Sequence, residues 1–306
     1  MLHYNMSEVP NMLVRRQFLA GLALAPVAAR AAQPLGTVAT ISILADMVRQ
    51  VGGSEVDVVS LVPPDGDAHT YEPRPGDPAA LRGARLLVEN GLGLEGWMDR
   101  LRAASGFAGV RVVAAEAVRP RHFIEDGATA IDPHAWQDPR NGVRYVRAIA
   151  AGLARADPAH ADAWRARADA YVAEIAATDA WISARLAVVP PQKRQIVTSH
   201  DAFGYYGDRY GIRLHFIEGI STDAEPSARE MARLIDDIRA QGIRAVFIEN
   251  MTDPRLVAAV AHEAGVTVGP RVYSDALSPP GGPADTYIQM LRYNTAAFAD
   301  AMLTNR

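Results

Sequence analysis

The stretch "PAHADAWRARADAYVAEIAATDAWISARLAVV", residues 158–189, is the longest helical pattern in the chain and decides the fold. Its apolar side chains recur at mixed three- and four-residue steps with charged residues between them, which is typical of a helix. Pro158 suits a helix start, and Pro190 with the next proline ends the pattern. Such a helix would be about 45 Å long, more than one small domain needs. We therefore expect one rigid helix that connects two other parts of the chain.

On both sides of this helix, β-rich runs alternate with helical patterns. Before it, "TVATIS" leads into "ILADMVRQVGG" and "VDVVSLVP" precedes "GDPAALRGA"; after it, "QIVTSH", "IRLHFIE" and "IRAVFIEN" are each followed by a helical run. This alternation is typical of parallel α/β sheets that are covered by helices. The predicted fold is α/β, with two lobes at 36–157 and 190–306, each a mainly parallel sheet flanked by helices, joined by the long helix 158–189.

Residues 1–31 have the pattern of an export signal. An arginine pair at 15–16 precedes the short apolar run "QFLAGLALAPVAA", and a small-residue cleavage motif follows at 29–31. The order "RRQFL" resembles the twin-arginine signal, with Val14 in place of the usual Ser or Thr. Because the run is short and contains Pro26, it suits export better than membrane anchoring. We expect a soluble periplasmic protein.

Composition excludes several classes of partner and site. A formal net charge of -4 gives no basic footprint for nucleic acid. The chain contains no Cys, so disulfides, thiolate ligands and a lipid-anchored cysteine are not expected. Beyond the export signal we expect no membrane span, no nucleic-acid partner and a monomer.

Four polar residues stand on loops that prolines or strand ends make rigid. They are His69 in "VPPDGDAHTYEPRPGD", His134 in "IDPHAWQDPR", His200 at the end of "IVTSH", and Asp275 in "RVYSDALSPPGG". Ligands of open α/β sheets bind outside the carboxyl ends of the strands. Three imidazoles and one carboxylate suit a divalent transition metal. Each residue also has an ordinary structural interpretation; Asp275, for instance, fits a turn.

The segments around these residues resemble a known family. "DAHTYEPRPGD", "IDPHAWQDP", "TSHDAFGYYGDRYG" and "SDALSPPGGPADTYIQMLRYN" look like the four metal-ligand segments of the zinc- and manganese-specific solute-binding proteins of ABC importers, the cluster A-I type. The resemblance implies that His69, His134, His200 and Asp275 surround one buried metal ion. It further implies that the metal is delivered to the transmembrane subunits of an ABC importer.

The chain departs from parts of this family in two places. Many zinc-specific members have a long His-rich loop before the second ligand, whereas "RPRHFIEDGATA" is short and contains only His122. Many manganese-specific members have Glu at the third ligand, where this chain has His200. A nitrogen-rich ligand set favours zinc over manganese, so we predict Zn(II) and keep Mn(II) as the alternative. His122 with Glu125 and Asp126 is a candidate second, weak site, and Glu249 is a candidate acceptor for a ligand imidazole.

Two other functional classes were considered. A zinc-dependent hydrolase normally keeps three protein ligands and an open position for water, and the chain contains neither an HExxH nor a GxSxG motif. A protein that binds an organic solute would have a cleft lined with aromatic residues, for which Tyr71, Trp136 and Tyr205 are too few. We therefore predict a metal-binding transport protein and no enzymatic activity.

Overall fold

The computed structural model describes residues 1–2, 33–125, 128–223 and 226–306. The predicted export signal at 1–31 lies outside the described residues, apart from its first two positions. Within the described ranges, no helix has both the length and the apolar character needed to cross a membrane.

The first sheet has four parallel strands in the order β2-β1-β3-β4. The strands are β1 (Leu35–Ala39), β2 (Val56–Ser60), β3 (Leu86–Glu89) and β4 (Val110–Val113). The helices that follow the first three strands are α1 (Ser42–Gly52), α2 (Asp77–Gly83) and α3 (Met98–Ser105). All four residues of β3 are buried, whereas the edge strand β2 alternates between half-buried and exposed positions. Central strands with such continuous burial are expected where helices cover both faces of a parallel sheet.

An antiparallel hairpin that the sequence analysis did not predict follows the first sheet. It consists of β5 (Arg121–Glu125) and β6 (Ala128–Asp132). A single 3-10 turn, Ala135–Gln137, then leads into α4 (Pro139–Ala156). The carboxylate of Asp138 accepts a hydrogen bond from the Arg140 amide and caps this helix.

The predicted long helix is α5 (Ala161–Ala187), with 27 residues and a length of about 40 Å. It starts later than predicted because residues 158–160 form a separate 3-10 turn. Its buried residues lie on one face and pack against α1, α4 and the last helix of the chain: Trp164, Ala168, Tyr171, Ile175, Thr178, Ile182 and Leu186. The long helix is therefore packed against other helices over most of its length.

The second sheet repeats the strand order of the first, as β10-β9-β7-β8, all parallel. Its strands are β7 (Gln195–His200), β8 (Arg213–Glu218), β9 (Ala245–Val246) and β10 (Thr267–Val268). The helices are α6 (Gly204–Tyr210), α7 (Ala228–Ala240), α8 (Pro254–Ala264) and the terminal α9 (Tyr287–Thr304). The strand predicted from "IRAVFIEN" is mostly irregular: β9 covers two residues, and Glu249 forms an isolated parallel bridge with Val272.

The predicted fold class, two mainly parallel sheets flanked by helices with one long helix between them, is confirmed. Residues 33–306 form one compact unit, so no division between two lobes is seen within it. The lobe boundaries therefore remain proposals, with lobes at 36–157 and 190–306 and the connector at 158–189.

Phe298 of α9 joins the terminal helix to the second sheet. Its ring is fully buried and makes edge-on contacts with Phe203, Tyr206 and Phe247, at centroid distances of 5.2, 5.9 and 5.0 Å. Aromatic pairs in this arrangement add to the stabilisation that burial alone provides.

We predict that Phe298→Ala lowers the free energy of unfolding by about 3–5 kcal/mol, because it removes a buried ring and leaves a cavity. Leu303→Ala on the same helix is the matched control, since Leu303 is 41% exposed. Its cost should stay within about 0.5 kcal/mol. Urea unfolding of the metal-free chain measures both values, and equal losses for the two variants would contradict this packing.

Candidate metal centre

The structure brings together the four residues that the sequence singled out. His69 lies in the loop after β2, His134 between β6 and α4, His200 at the last position of β7, and Asp275 just after the bridge residue Val272. Each offers a ligand atom, and these atoms all lie within 4.8 Å of one another.

The spacing of the ligand atoms suits one small ion. Nε2 of His69 lies 3.2 Å from Nε2 of His134 and 3.2 Å from Oδ2 of Asp275. Nε2 of His200 lies 3.3 Å from Oδ2 of Asp275, and Nε2 of His134 lies 3.6 Å from Oδ1. Tetrahedral zinc with bonds of about 2.0–2.1 Å needs ligand atoms about 3.3–3.4 Å apart. The four side chains are thus arranged around a point that such an ion would fill.

Burial and unsatisfied bonding capacity also point to a cation. The side chains of His134, His200 and Asp275 have no exposed surface, and that of His69 is 6% exposed. Among the described residues, neither oxygen of Asp275 receives a donor in hydrogen-bond geometry, and Nε2 of His200 has no such partner. Buried polar atoms are normally satisfied, so these atoms need an explanation. A metal ion supplies one.

Asp132 orients the imidazole of His134. One oxygen, Oδ1, lies 2.8 Å from Nδ1 of His134 and accepts the backbone amide of the same residue at 2.9 Å. Because an ionised carboxylate only accepts hydrogen bonds, Nδ1 carries a proton, and Nε2 is the nitrogen that faces His69 and Asp275. The other oxygen, Oδ2, lies 3.2 Å from Nη1 of Arg121.

Glu249 lies where the sequence analysis expected an acceptor for a ligand imidazole. Its Oε2 is 2.7 Å from Nδ1 of His200, and its Oε1 accepts the His200 amide at 2.8 Å. The first contact is short but not aligned as a hydrogen bond, so it acts as a charge contact. Glu249 follows β9 and His200 ends β7, which are neighbours in the second sheet. This is the point where the strand order reverses, the usual ligand position in such sheets.

The Asp275 loop is held by residues from the first half of the chain. The carbonyl of Ser274 accepts bonds from Nε1 of Trp136 at 2.9 Å and Nε2 of Gln137 at 3.0 Å. The amide of Leu277 donates to Oγ of Ser42 at 2.9 Å. The turn that follows His134 therefore fixes the backbone that carries Asp275.

The His69 loop has a corresponding set of restraints. Its amide donates to Oδ1 of Asp67 at 2.8 Å, and Oδ2 of Asp67 accepts the hydroxyl of Thr222 at 2.6 Å. Nδ2 of Asn250 donates to Oδ1 of Asp65 at 2.8 Å. Thr222 and Asn250 belong to the second half of the chain, so both halves hold the loop closed over the site.

The site has an excess of buried negative charge. Asp132, Asp201, Glu249 and Asp275 are buried carboxylates, and Arg121 is the cation paired with Asp132. Burial, together with the charge of Asp132, raises the pKa of Asp201 to about 6, so this carboxyl is ionised at neutral pH. A divalent cation would offset much of the remaining charge.

The metal-free ligands hold protons that a metal must displace. Burial opposes ionisation of Asp275, yet His134 and His200 keep its pKa well below the ordinary value. Burial also opposes a charge on His134, but the carboxylates of Asp275 and Asp132 raise its pKa to about 9. The pKa of His200 is raised well above its ordinary value, against burial, by Glu249 and Asp275.

None of the other histidines that the structure describes belongs to this cluster. His122 is exposed on β5, but Asp126 lies outside the described residues, so the second weak site with Glu125 stays untested. His262 is exposed on α8. His160 ends the 3-10 turn 158–160 and is partly buried, with Nδ1 2.8 Å from Oδ2 of Asp157.

Three residues of the site were not predicted from the sequence: Asp132, Asp201 and Arg121. An acid two positions before a candidate ligand histidine was a usable signal for Asp132 as its partner. Arg121 gave no signal, because its contact with Asp132 depends on the hairpin register.

Comparisons with known proteins identify the family. Residues 37–301 match the family model described as "Zinc-uptake complex component A periplasmic". The manganese-binding lipoprotein MntA of Bacillus subtilis (strain 168) is 34% identical over 276 residues, covering 88% of this chain and 90% of MntA. The iron-binding protein YfeA of Yersinia pestis is 31% identical over 269 residues, covering 88% and 86%.

Solved structures give the same result. The periplasmic zinc-binding protein TroA from Treponema pallidum superposes with a TM-score of 0.83 and 29% identity, covering 88% of this chain and 99% of TroA. A manganese-bound periplasmic metal-binding protein from Candidatus Liberibacter asiaticus gives 0.78 and 26%, covering 87% and 98%. These names differ in their metal, and MntA is called a lipoprotein. The comparisons therefore do not support the expected absence of a lipid anchor, which stays a prediction from the lack of Cys.

We predict that metal affinity rises with pH up to about 9, the pKa of His134 in the metal-free protein. Below that pH the imidazole holds a proton, and only the neutral form binds a metal. Calorimetry at neutral pH in two buffers of different ionisation enthalpy should show release of at least one proton per zinc bound. His262→Ala is the control and should release the same number. An affinity that stays constant from about pH 6 to about pH 9 would contradict the pKa shift of His134.

Proposed function

The chain belongs to the family of periplasmic zinc-uptake components A, and we propose that it captures one divalent transition metal ion outside the cytoplasm and delivers it to an ABC importer. The convergence of His69, His134, His200 and Asp275 on one buried point carries this proposal. The metal is the transported substrate. The relatives are named for binding manganese, iron or zinc, and these names support a role in metal transport.

We propose zinc as the physiological ion. Three imidazole nitrogens and one carboxylate form a borderline-soft, nitrogen-rich set, and zinc stands well above manganese in affinity for such sites. Four of the distances between ligand atoms are 3.2–3.6 Å, which suits short bonds in a four-coordinate shell. Manganese prefers more oxygen ligands.

Manganese is the alternative, and one observation favours it. Both oxygens of Asp275 face imidazoles, Oδ2 towards His69 and His200 and Oδ1 towards His134. A carboxylate in this orientation can bind through both oxygens and expand the shell to five ligands. The name of the manganese-binding relative MntA points the same way.

A hydrolytic function is not favoured by the same geometry. Catalytic zinc sites bind the metal through three protein ligands and keep a fourth position for water. Here four side chains converge, and three of them have no exposed surface. The arrangement is suited to holding an ion, so we propose a transport role without turnover.

The packing of α5 bears on how the metal leaves. Because α5 is buried along one face against α1, α4 and α9, bending it would break contacts over most of its length. We propose that release to the importer subunits reorders the loops around the ligands and that the protein acts as a periplasmic monomer. The twin-arginine export of segment 1–31 remains a prediction.

Metal preference is tested by competition. The metal-free protein is saturated with manganese, and equimolar zinc is then added; we predict that zinc replaces manganese, because the ligand set is rich in nitrogen. His200→Glu adds an oxygen ligand and should lower the zinc-over-manganese preference by about tenfold or more. His262→Ala is a matched control and should not change it.

Two results would refute the zinc assignment. One is retention of manganese by the wild-type protein in this titration. The other is a deletion strain whose growth defect is relieved by manganese and not by zinc.

A further inference from the structure

The unpredicted hairpin begins with Arg121, and this residue lies directly behind the metal centre. We propose that Arg121 is a positioning residue: it fixes the carboxylate of Asp132 against His134 and so sets the rate at which the metal dissociates. The proposal rests on the proposed function, because it assumes that His134 is a ligand.

The two oxygens of Asp132 have different partners. Oδ1 accepts a hydrogen bond from the amide of His134 and lies 2.8 Å from Nδ1 of its ring. Oδ2 is held by Nη1 of Arg121 at 3.2 Å. With both oxygens engaged, the plane of the carboxylate is fixed, and so is the imidazole. Without the guanidinium, Oδ2 would be buried without this partner, and the carboxylate would gain freedom to turn away from His134.

The same guanidinium also reaches the segment that carries His200. Nε of Arg121 lies 3.1 Å from Oδ2 of Asp208 on α6, the helix that follows His200 in the chain. The amide of Arg121 donates to the hydroxyl of Tyr205 at 2.8 Å, and that hydroxyl donates to the carbonyl of Asp132 at 3.2 Å. Arg121 therefore connects Asp132, the partner of His134, with α6, the helix that follows His200 in the chain.

The contact between Arg121 and Asp132 depends on the absence of a side chain at Gly204. A Cβ at this position would lie 2.4 Å from Nη1 of Arg121 and 2.6 Å from Oδ2 of Asp132. Any larger residue would push the two groups apart. The pair is also well shielded, with Asp132 fully buried and the Arg121 side chain 26% exposed, so water screens it only weakly.

A purely structural role for Arg121, attaching the hairpin to α6, makes a different prediction. It would lower the stability of the fold without a specific effect on metal release. Arg140 supplies the matched control: it lines the same surface cavity of about 460 Å³ as Arg121, but it pairs with Asp138 instead. The two arginines thus differ in whether their partner supports a ligand histidine.

The experiment loads the full chain with zinc and measures zinc release into excess chelator. Arg121→Gln should release zinc faster than the wild type by up to about tenfold, the lower end of the loss that follows removal of a ligand's direct partner, because Arg121 acts on His134 only through Asp132. Arg121→Lys should recover part of the effect, since it keeps the charge but not the fork of donors. Arg140→Gln should match the wild type, and the metal-free melting temperature of each variant is measured alongside.

Release at the wild-type rate from Arg121→Gln, or equal acceleration by Arg140→Gln, would overturn the proposal. If Arg121→Gln does not fold, Gly204→Ala replaces it, because the added methyl group would separate the guanidinium of Arg121 from the carboxylate of Asp132 without changing any of the four candidate ligand residues. Normal release from Gly204→Ala would then overturn the proposal. Failure of the wild-type chain to bind zinc or manganese would instead refute the proposed function.

Discussion

Every part of this molecule that bears on metal binding depends on the close approach of Asp275 to three imidazoles. A carboxylate fully removed from water has to be paired, and here the groups within reach are His69, His134 and His200. In the absence of a metal, the carboxylate of Asp275 raises the pKa of His134, so a proton on this imidazole offsets part of its charge. A divalent ion bound at the same point would displace this proton. The buried cluster is therefore suited to exchange protons for a metal.

Neighbouring groups restrain the candidate ligands on the side away from the centre of the cluster. Asp132 and Glu249 restrain the imidazoles of His134 and His200, and the turn after His134 restrains the backbone next to Asp275. The two sheets share one strand order, and loops from both halves of the chain meet at the four-residue cluster. Because α5 is packed along its length, the flexible parts are the loops, with His69 the most accessible ligand.

Much of this was readable from the sequence. The apolar spacing of α5, the strand-helix alternation and the four ligand loops each follow from local patterns. The hairpin was missed although "RHFIE" and "ATAID" flank an Asp-Gly pair, a recognised hairpin signal, because the segment was considered only as a shortened metal loop. The contact of Arg121 with Asp132, and the packing of α5 on α9, depend on tertiary contacts between distant segments and leave no local pattern.

The central claim, that four side chains hold one ion together, is tested most directly by a crystal structure of the zinc-loaded protein with data collected at the zinc edge. We predict one strong anomalous peak, about 2.0–2.2 Å from Nε2 of His69, His134 and His200 and from an oxygen of Asp275. A main peak elsewhere, for example at His122, or a zinc ion bound by fewer than three of these residues, would contradict it.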